Sequence, residues 1–326
     1  MKEITLEQME SISVGQTEDA AGGTGCTVII SRDGMRAGLD VRGGGPAARE
    51  TQLLDPLTAA RAIHAVVLSG GSAFGLGAAD GVMDYLEEQG IGYDVGVTRV
   101  PLVVQADLFD LTVADKNARP DRKMGYEAAR RALEDPNYKD GCFGAGCGAT
   151  VGKLCGMETC MKSGIGSYFV QVGELKVGAV VAVNAFGDIF DWKTGEKLAG
   201  LLSEDRKSFR STEEMMKDRI EAVDNKFAEG LGKNTTIGAV ITNADLEKPQ
   251  LCKVAGMAHD GFARSIRPVH TTVDGDSIFA VSVGDVDADQ DVVGTLAAEV
   301  MSEAIKRAVL SAESAYGFPA AKDADV

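Results

Sequence analysis

Residues 168–185 alternate or run apolar, the pattern of paired strands that are buried in a core. Other strand-like runs stand between turn signals. Cys26-Thr27-Val28-Ile29-Ile30-Ser31 lies between Gly22-Gly23-Thr24-Gly25 and Asp33-Gly34. A hairpin at Asp33-Gly34 is expected, returning through Ala37-Gly38-Leu39-Asp40-Val41-Arg42 and ending at Gly43-Gly44-Gly45-Pro46, where a ladder cannot continue. Ala65-Val66-Val67-Leu68 runs into Ser69-Gly70-Gly71-Ser72, after which Ala79, Val82, Met83 and Leu86 carry helical spacing up to a cap at Gly90. Residues 123–134 read as a second helix and residues 140–150 as a glycine-rich segment. Helices and strands are therefore mixed, an α/β (α+β) pattern, and 326 residues are ample for a large core.

A formal net charge of −16 repels phosphate backbones and anionic membranes, which argues against a nucleic-acid partner and against a membrane partner. No basic segment followed by an apolar one opens the chain, and no run of about 18 apolar residues occurs, so a cytoplasmic protein is expected. Cys26, Cys142, Cys147, Cys155, Cys160 and Cys252 form no C-x-x-C pair and have only three histidines to join them, so structural thiols are expected over a metal site. Neither metal nor cofactor is predicted.

Residues 202–229 are the most charged stretch and read as a solvated connector or exposed helix. It ends at Gly230-Leu231-Gly232-Lys233-Asn234-Thr235-Thr236, followed by the strand Ile237-Gly238-Ala239-Val240-Ile241-Thr242. A hydroxyl residue thus opens a core strand. Were the Asn234–Thr235 peptide held under strain, the Thr235 hydroxyl could attack the preceding carbonyl, and water would cleave the resulting ester. The new N-terminal threonine would carry its own base, an α-amine with a pKa near ~8. The alternative is a turn followed by an ordinary Thr-rich strand. Asp274-Gly275-Asp276 precedes Ser277-Ile278-Phe279-Ala280-Val281-Ser282-Val283. If that triplet is extended, both carboxylates share one face and the charge of one raises the pKa of the other; if not, it is a turn.

Other motifs fail. Phe74 breaks the G-x-S-x-G elbow around Ser72, Cys147 and Leu154 break the phosphate loop around Gly152-Lys153, and Gln290 and Leu296 break the calcium loop that Asp285-Val286-Asp287-Ala288-Asp289 imitates.

Four segments in order, Gly23-Thr24-Gly25-Cys26-Thr27-Val28, Val41-Arg42-Gly43-Gly44-Gly45-Pro46-Ala47-Ala48-Arg49-Glu50, Leu68-Ser69-Gly70-Gly71-Ser72-Ala73-Phe74-Gly75-Leu76 and Asn234-Thr235-Thr236-Ile237-Gly238, resemble the DmpA family. That family includes β-aminopeptidases, D-aminopeptidases and nylon-oligomer hydrolases. The resemblance implies a four-layer α-β-β-α sandwich, shared with ornithine acetyltransferases, and a precursor that cuts itself before Ser or Thr. It implies Thr235 as nucleophile, Asp274 and Asp276 as the acidic pair, Lys153 as the active-site lysine and Asn184 as the oxyanion or amine-holding asparagine. A surface lysine and a strand-end asparagine are the plain alternatives. Phe109, in Asp107-Leu108-Phe109-Asp110-Leu111, stands where some relatives have a tyrosine.

The expectation is one folded unit, residues 1–326, cut into fragments 1–234 and 235–326 that stay together. It would hydrolyse small peptides or amides with a free amino end, and the resemblance implies a homo-oligomer. An acyltransferase or pantetheine-type amidase on the same scaffold, and a non-catalytic acidic binding protein, are the rival readings.

Overall fold

Ten hydrogen-bonded strands, nine of them on one path, bend into two stacked sheets in a computed structural model that describes residues 1–221 and 234–324. The strands are β1 (Lys2–Ile4), β2 (Ser13–Asp19), β3 (Thr24–Val41), β4 (Ala47–Arg49), β5 (Ile63–Ser69), β6 (Val103–Asp107), β7 (Ile165–Val172), β8 (Leu175–Asn184), β9 (Thr235–Ala244) and β10 (Ser277–Val286). Their order is β1-β7-β8-β9-β10-β3-β5-β6-β4, with β2 also on β3. The helices are α1 (Ala78–Glu88), α2 (Arg122–Glu134), α3 (Thr212–Glu221), α4 (Lys248–Ser265) and α5 (Gln290–Leu310). The segment Gly230-Leu231-Gly232-Lys233 and the end of the charged connector lie outside the described residues; its described part holds α3.

The hairpin expected at Asp33-Gly34 does not form. Residues 24–41 are a single strand whose first half pairs with β2 and β5 and whose second half pairs with β10. Gly34 takes φ +84° beside a register shift between Ile30 and Met35, so the glycine bends the strand from one sheet into the other instead of reversing it.

Side-chain alternation then sorts the apolar residues into three layers. Ile237, Ala239 and Ile241 of β9, Phe279 and Val281 of β10, Val66 and Leu68 of β5, and Val104 and Ala106 of β6 fill the space between the sheets. Val240 of β9 and Ile278 and Ala280 of β10 point the other way, onto Leu251, Val254 and Phe262 of α4 and Val300, Met301 and Ile305 of α5. Val28, Ile30, Ala65 and Val67 pack against Val82 and Leu86 of α1 and Ala128, Ala129 and Ala132 of α2. The result is a four-layer α-β-β-α sandwich. Strands buried on both faces explain the near-continuous apolar runs in the sequence.

The helix ends follow local rules. Asp121 caps α2 by accepting from Met124 N at 2.9 Å, and Asp289 caps α5 by accepting from Asp291 N at 2.7 Å, the structural use of an aspartate that imitates a calcium loop. Among the described residues no helix is long and apolar enough to cross a membrane.

Candidate active site

The peptide between Asn234 and Thr235 sits at the end of the sheet that contains β1, β7, β8, β9 and β10, where β9 begins between β8 and β10. Asn184, the last residue of β8, is the register partner of Thr235, and β10 runs parallel to β9 from the Ile237–Ser277 pair onward. Asn234 and Thr235 are each only 3% exposed. The Thr235 hydroxyl donates to the Asn234 carbonyl oxygen, so the hydroxyl lies against the peptide that precedes it. The Gly275 N–H donates to that same oxygen at 3.1 Å.

The loop that carries Gly275 is held on both sides. Arg42 N and Gly43 N donate to Asp276 O at 3.0 and 3.2 Å, and Gly45 N donates to Asp274 O at 2.8 Å. The approach is close enough that a Cβ on Gly43 would stand 2.2 Å from Asp276 N and one on Gly44 2.7 Å from Thr272 Cα, which is why glycines lie at these two positions.

Asp274 and Asp276 both lie in this loop, ahead of β10 and outside its ladder, and their carboxylates take separate partners. Asp274 accepts from Phe186 N at 3.2 Å and from the backbone N–H and hydroxyl of Thr271. Asp276 accepts from Thr236 N at 2.8 Å through Oδ1, and its Oδ2 meets His270 Nδ1 at 2.8 Å. Burial, and then the charge of Asp276, push the Asp274 carboxyl up to about 7.

Asn184 is fully buried and fixed at both ends of its amide. Its Nδ2 donates to Phe109 O at 2.8 Å, and its Oδ1 accepts from Thr150 N at 3.1 Å and from Lys153 Nζ at 2.5 Å. Lys153 reaches this point because Gly152 N and Lys153 N donate to Gly187 O and Phe186 O, both at 3.1 Å, pairing its loop with the one after β8. The residue is half-buried, and its ammonium donates also to Asn184 O at 3.0 Å. Burial pulls the Lys153 amine down to about 7 against the opposing pull of Cys160, Asp274 and Asp110.

The structure thus brings Asn184, Lys153, Asn234, Thr235, Asp274 and Asp276 to one end of one sheet. Three further groups that the structure brings to this region were not legible in the sequence. His270, six residues before Asp276, is its partner, and its ring also lies edge-on 4.7 Å from His259. Asp110, next to Phe109, accepts from Thr24 Oγ1 and Gly71 N, both at 2.7 Å, tying together two of the glycine-rich segments; burial pushes it up to about 6. The third is the Gly275 N–H. A main-chain donor leaves no mark on a sequence, and the histidine's only signal is its position in the turn that precedes the acidic pair.

The sequence pattern described as Peptidase family S58 matches residues 5–322. The chain belongs to this family. It is 38% identical over 323 residues to an uncharacterised aminopeptidase of Mycobacterium leprae, covering 90% of this chain and 84% of that one. It is 29% identical over 315 residues to a 6-aminohexanoate-oligomer endohydrolase of Kocuria, covering 91% and 83%. The fold is shared with the l-aminopeptidase d-ala-esterase/amidase of Ochrobactrum anthropi, described as a variant of the Ntn hydrolase fold, at a TM-score of 0.66, 17% identity and coverage of 93% and 85%. A Burkholderia β-aminopeptidase superposes with a TM-score of 0.63 at 19% identity, covering 95% and 87%. This S58 member is accordingly a peptidase-family hydrolase with an Ntn-type fold, as the resemblance to the DmpA family implied.

Proposed function

We propose that this S58 hydrolase cuts its own Asn234–Thr235 bond and then uses Thr235, with its freed α-amine, to hydrolyse amide bonds of small substrates. The observation that carries this reading is the buried Thr235 hydroxyl set against the carbonyl oxygen of Asn234. In the uncut chain the Thr235 nitrogen is an amide and cannot act as a base. Once freed it becomes an amine, accepts the hydroxyl proton during attack on substrate, passes it to the leaving amine and then activates water.

In this reading Lys153, whose ammonium is held by Asn184 Oδ1, meets the substrate's carbonyl oxygen or amino group, and Asp274 and Asp276 fix the strand end around the nucleophile. The two fragments stay joined in this reading because β9 lies between β8 and β10. Ile237, Val240 and Ile241 are fully buried there, each worth roughly 1.5–3 kcal/mol of burial. A relative named as an aminopeptidase supports substrates with a free amino end, and one named as a 6-aminohexanoate-oligomer endohydrolase supports short amide oligomers.

The test is to incubate purified protein with aminoacyl p-nitroanilides and amino-terminated short amides, and to quench for mass analysis. A covalent acyl adduct on the fragment that begins at Thr235, decaying by hydrolysis, is expected. Adding a competing amine separates hydrolysis from acyl transfer, because an acyltransferase would deliver the acyl group to the amine in preference to water. Release of p-nitroaniline with no adduct on that fragment counts against Thr235 as nucleophile.

A further inference from the structure

The carbonyl oxygen of Asn234 is the atom on which negative charge would appear during self-cleavage, and the Gly275 N–H is aimed at it from 3.1 Å. Resting on the self-cleavage reading above, we propose that this main-chain amide is the oxyanion donor for processing of the precursor, a role separate from that of the side-chain groups that face the substrate.

The surrounding bonds make the donor rigid before reaction. Asp274 O is held by Gly45 N, Asp276 O by Arg42 N and Gly43 N, and the Asp274 carboxylate by Phe186 N and Thr271 N, so the Gly275 amide is fixed from both neighbours. Preorganised donors of this kind need no rearrangement as charge develops. Asn184 does not compete for the role, since its amide nitrogen donates to Phe109 O at 2.8 Å. Glycine is required at the position as well. A Cβ on residue 275 would stand 2.6 Å from Thr235 Oγ1 and 2.8 Å from Gly45 O, so only a residue without a side chain lets donor, acceptor and nucleophile meet.

In the reaction, Thr235 Oγ1 forms a bond to the Asn234 carbonyl carbon and the carbonyl electron pair moves onto the oxygen facing the Gly275 N–H. Collapse breaks the bond from that carbon to the Thr235 nitrogen. The hydroxyl proton ends on this nitrogen, which becomes an amine, and Asn234 is left as an ester on Thr235. Water then adds to the ester, releasing the Asn234 carboxylic acid and restoring the hydroxyl.

The amide is removed without altering any side chain by making the full chain in cell-free translation with glycolic acid at position 275, which replaces N–H by an ester oxygen. Loss of the intact chain is followed by denaturing mass spectrometry, and folding is checked by thermal unfolding. The expected result is a folded chain whose cleavage before Thr235 is slower by on the order of 100-fold. Cleavage of the ester chain at the wild-type rate overturns the proposal.

Should the ester chain not fold, the contact is tested in uncut Thr235→Ala protein by the scalar coupling across the hydrogen bond between Gly275 nitrogen and Asn234 carbonyl carbon. Its presence supports the assignment and its absence overturns it. A wild-type chain that never cuts before Thr235, or a Thr235→Ala chain that still does, defeats the underlying self-cleavage reading, a result distinct from a cutting wild type beside an equally fast ester chain.

Discussion

Gly275→Ala isolates the geometry at the bond between Asn234 and Thr235, because it keeps the N–H and adds a single methyl group. Gly275 does not occupy the left-handed region, so alanine meets no backbone penalty there and the whole effect comes from contacts. Its Cβ would stand 2.6 Å from Thr235 Oγ1, where ordinary contact begins at 3.4 Å. Either the hydroxyl or the loop must give way by about 0.8 Å, and a misplacement of about 1 Å costs reacting groups on the order of 100-fold in rate. Overpacking adds a stability cost of roughly 1–3 kcal/mol. The assay is the time course of chain cutting on denaturing gels after rapid purification, with urea unfolding alongside in a Thr235→Ala background. Cutting at the wild-type rate by a folded Gly275→Ala chain would refute the reasoning, since it would mean that the hydroxyl's position against Gly275 is irrelevant to cleavage.

Other substitutions probe the supporting groups. Lys153 has a folded pKa near 7 against an ordinary 10.5, so between these values the unfolded chain binds a proton that the folded chain lacks, and stability gains with rising pH. In a Thr235→Ala background, Lys153→Met should therefore be most stabilising relative to its parent at or below pH 7, with the advantage shrinking towards pH 10; a pH-independent difference in urea midpoint contradicts this. Asp110→Ala leaves the Gly71 N–H and the Thr24 hydroxyl without their acceptor, and urea unfolding should show a loss of roughly 2–4 kcal/mol. His270→Ala removes the ring partner of Asp276 Oδ2 and should slow cutting about 10-fold as a positioning effect transmitted through Asp276 to Thr236 N. His270→Asn should restore part of that rate, because asparagine tolerates the φ of +57° found there and supplies a side-chain donor. Equal rates for the two variants would argue against positioning.

Much of the chain's construction was legible from residue patterns, and the gaps have physical causes. The strand openings at Thr235 and Ser277, the helix at residues 123–134 and the paired run at residues 168–185 follow from apolar spacing and turn chemistry that act locally. Asp33-Gly34 has the local chemistry of a hairpin, but a glycine with positive φ serves a turn and a bulge alike, and only the pairing of β3 with two different sheets decides between them. The layering is not a local property. Val240 and Ile241 are both apolar, and which one faces α5 and which the space between the sheets depends on what is stacked there, so the four layers follow from the family resemblance and not from the local pattern.

At the site, the threonine that opens a strand and the closely spaced carboxylates were visible, and the effect of the Asp276 charge on Asp274 follows from their spacing. The turn ahead of β10 instead sends the two carboxylates to different partners, where an extended chain would have turned both to one face. The roles of Phe109 O, Thr150 N and Gly275 N were illegible because every residue but proline has a main-chain carbonyl and N–H, and only the fold selects those that matter.

Denaturing mass spectrometry of wild-type and Thr235→Ala protein tests the central claim most directly. The account predicts that wild type resolves into fragments 1–234 and 235–326, the first ending in a free carboxylic acid, while Thr235→Ala stays a single intact chain. An uncut wild type after long incubation would contradict it. So would a Thr235→Ala chain that still breaks after Asn234, particularly with a fragment one water lighter, since cyclisation of the Asn234 side-chain amide would then be breaking the bond without any hydroxyl.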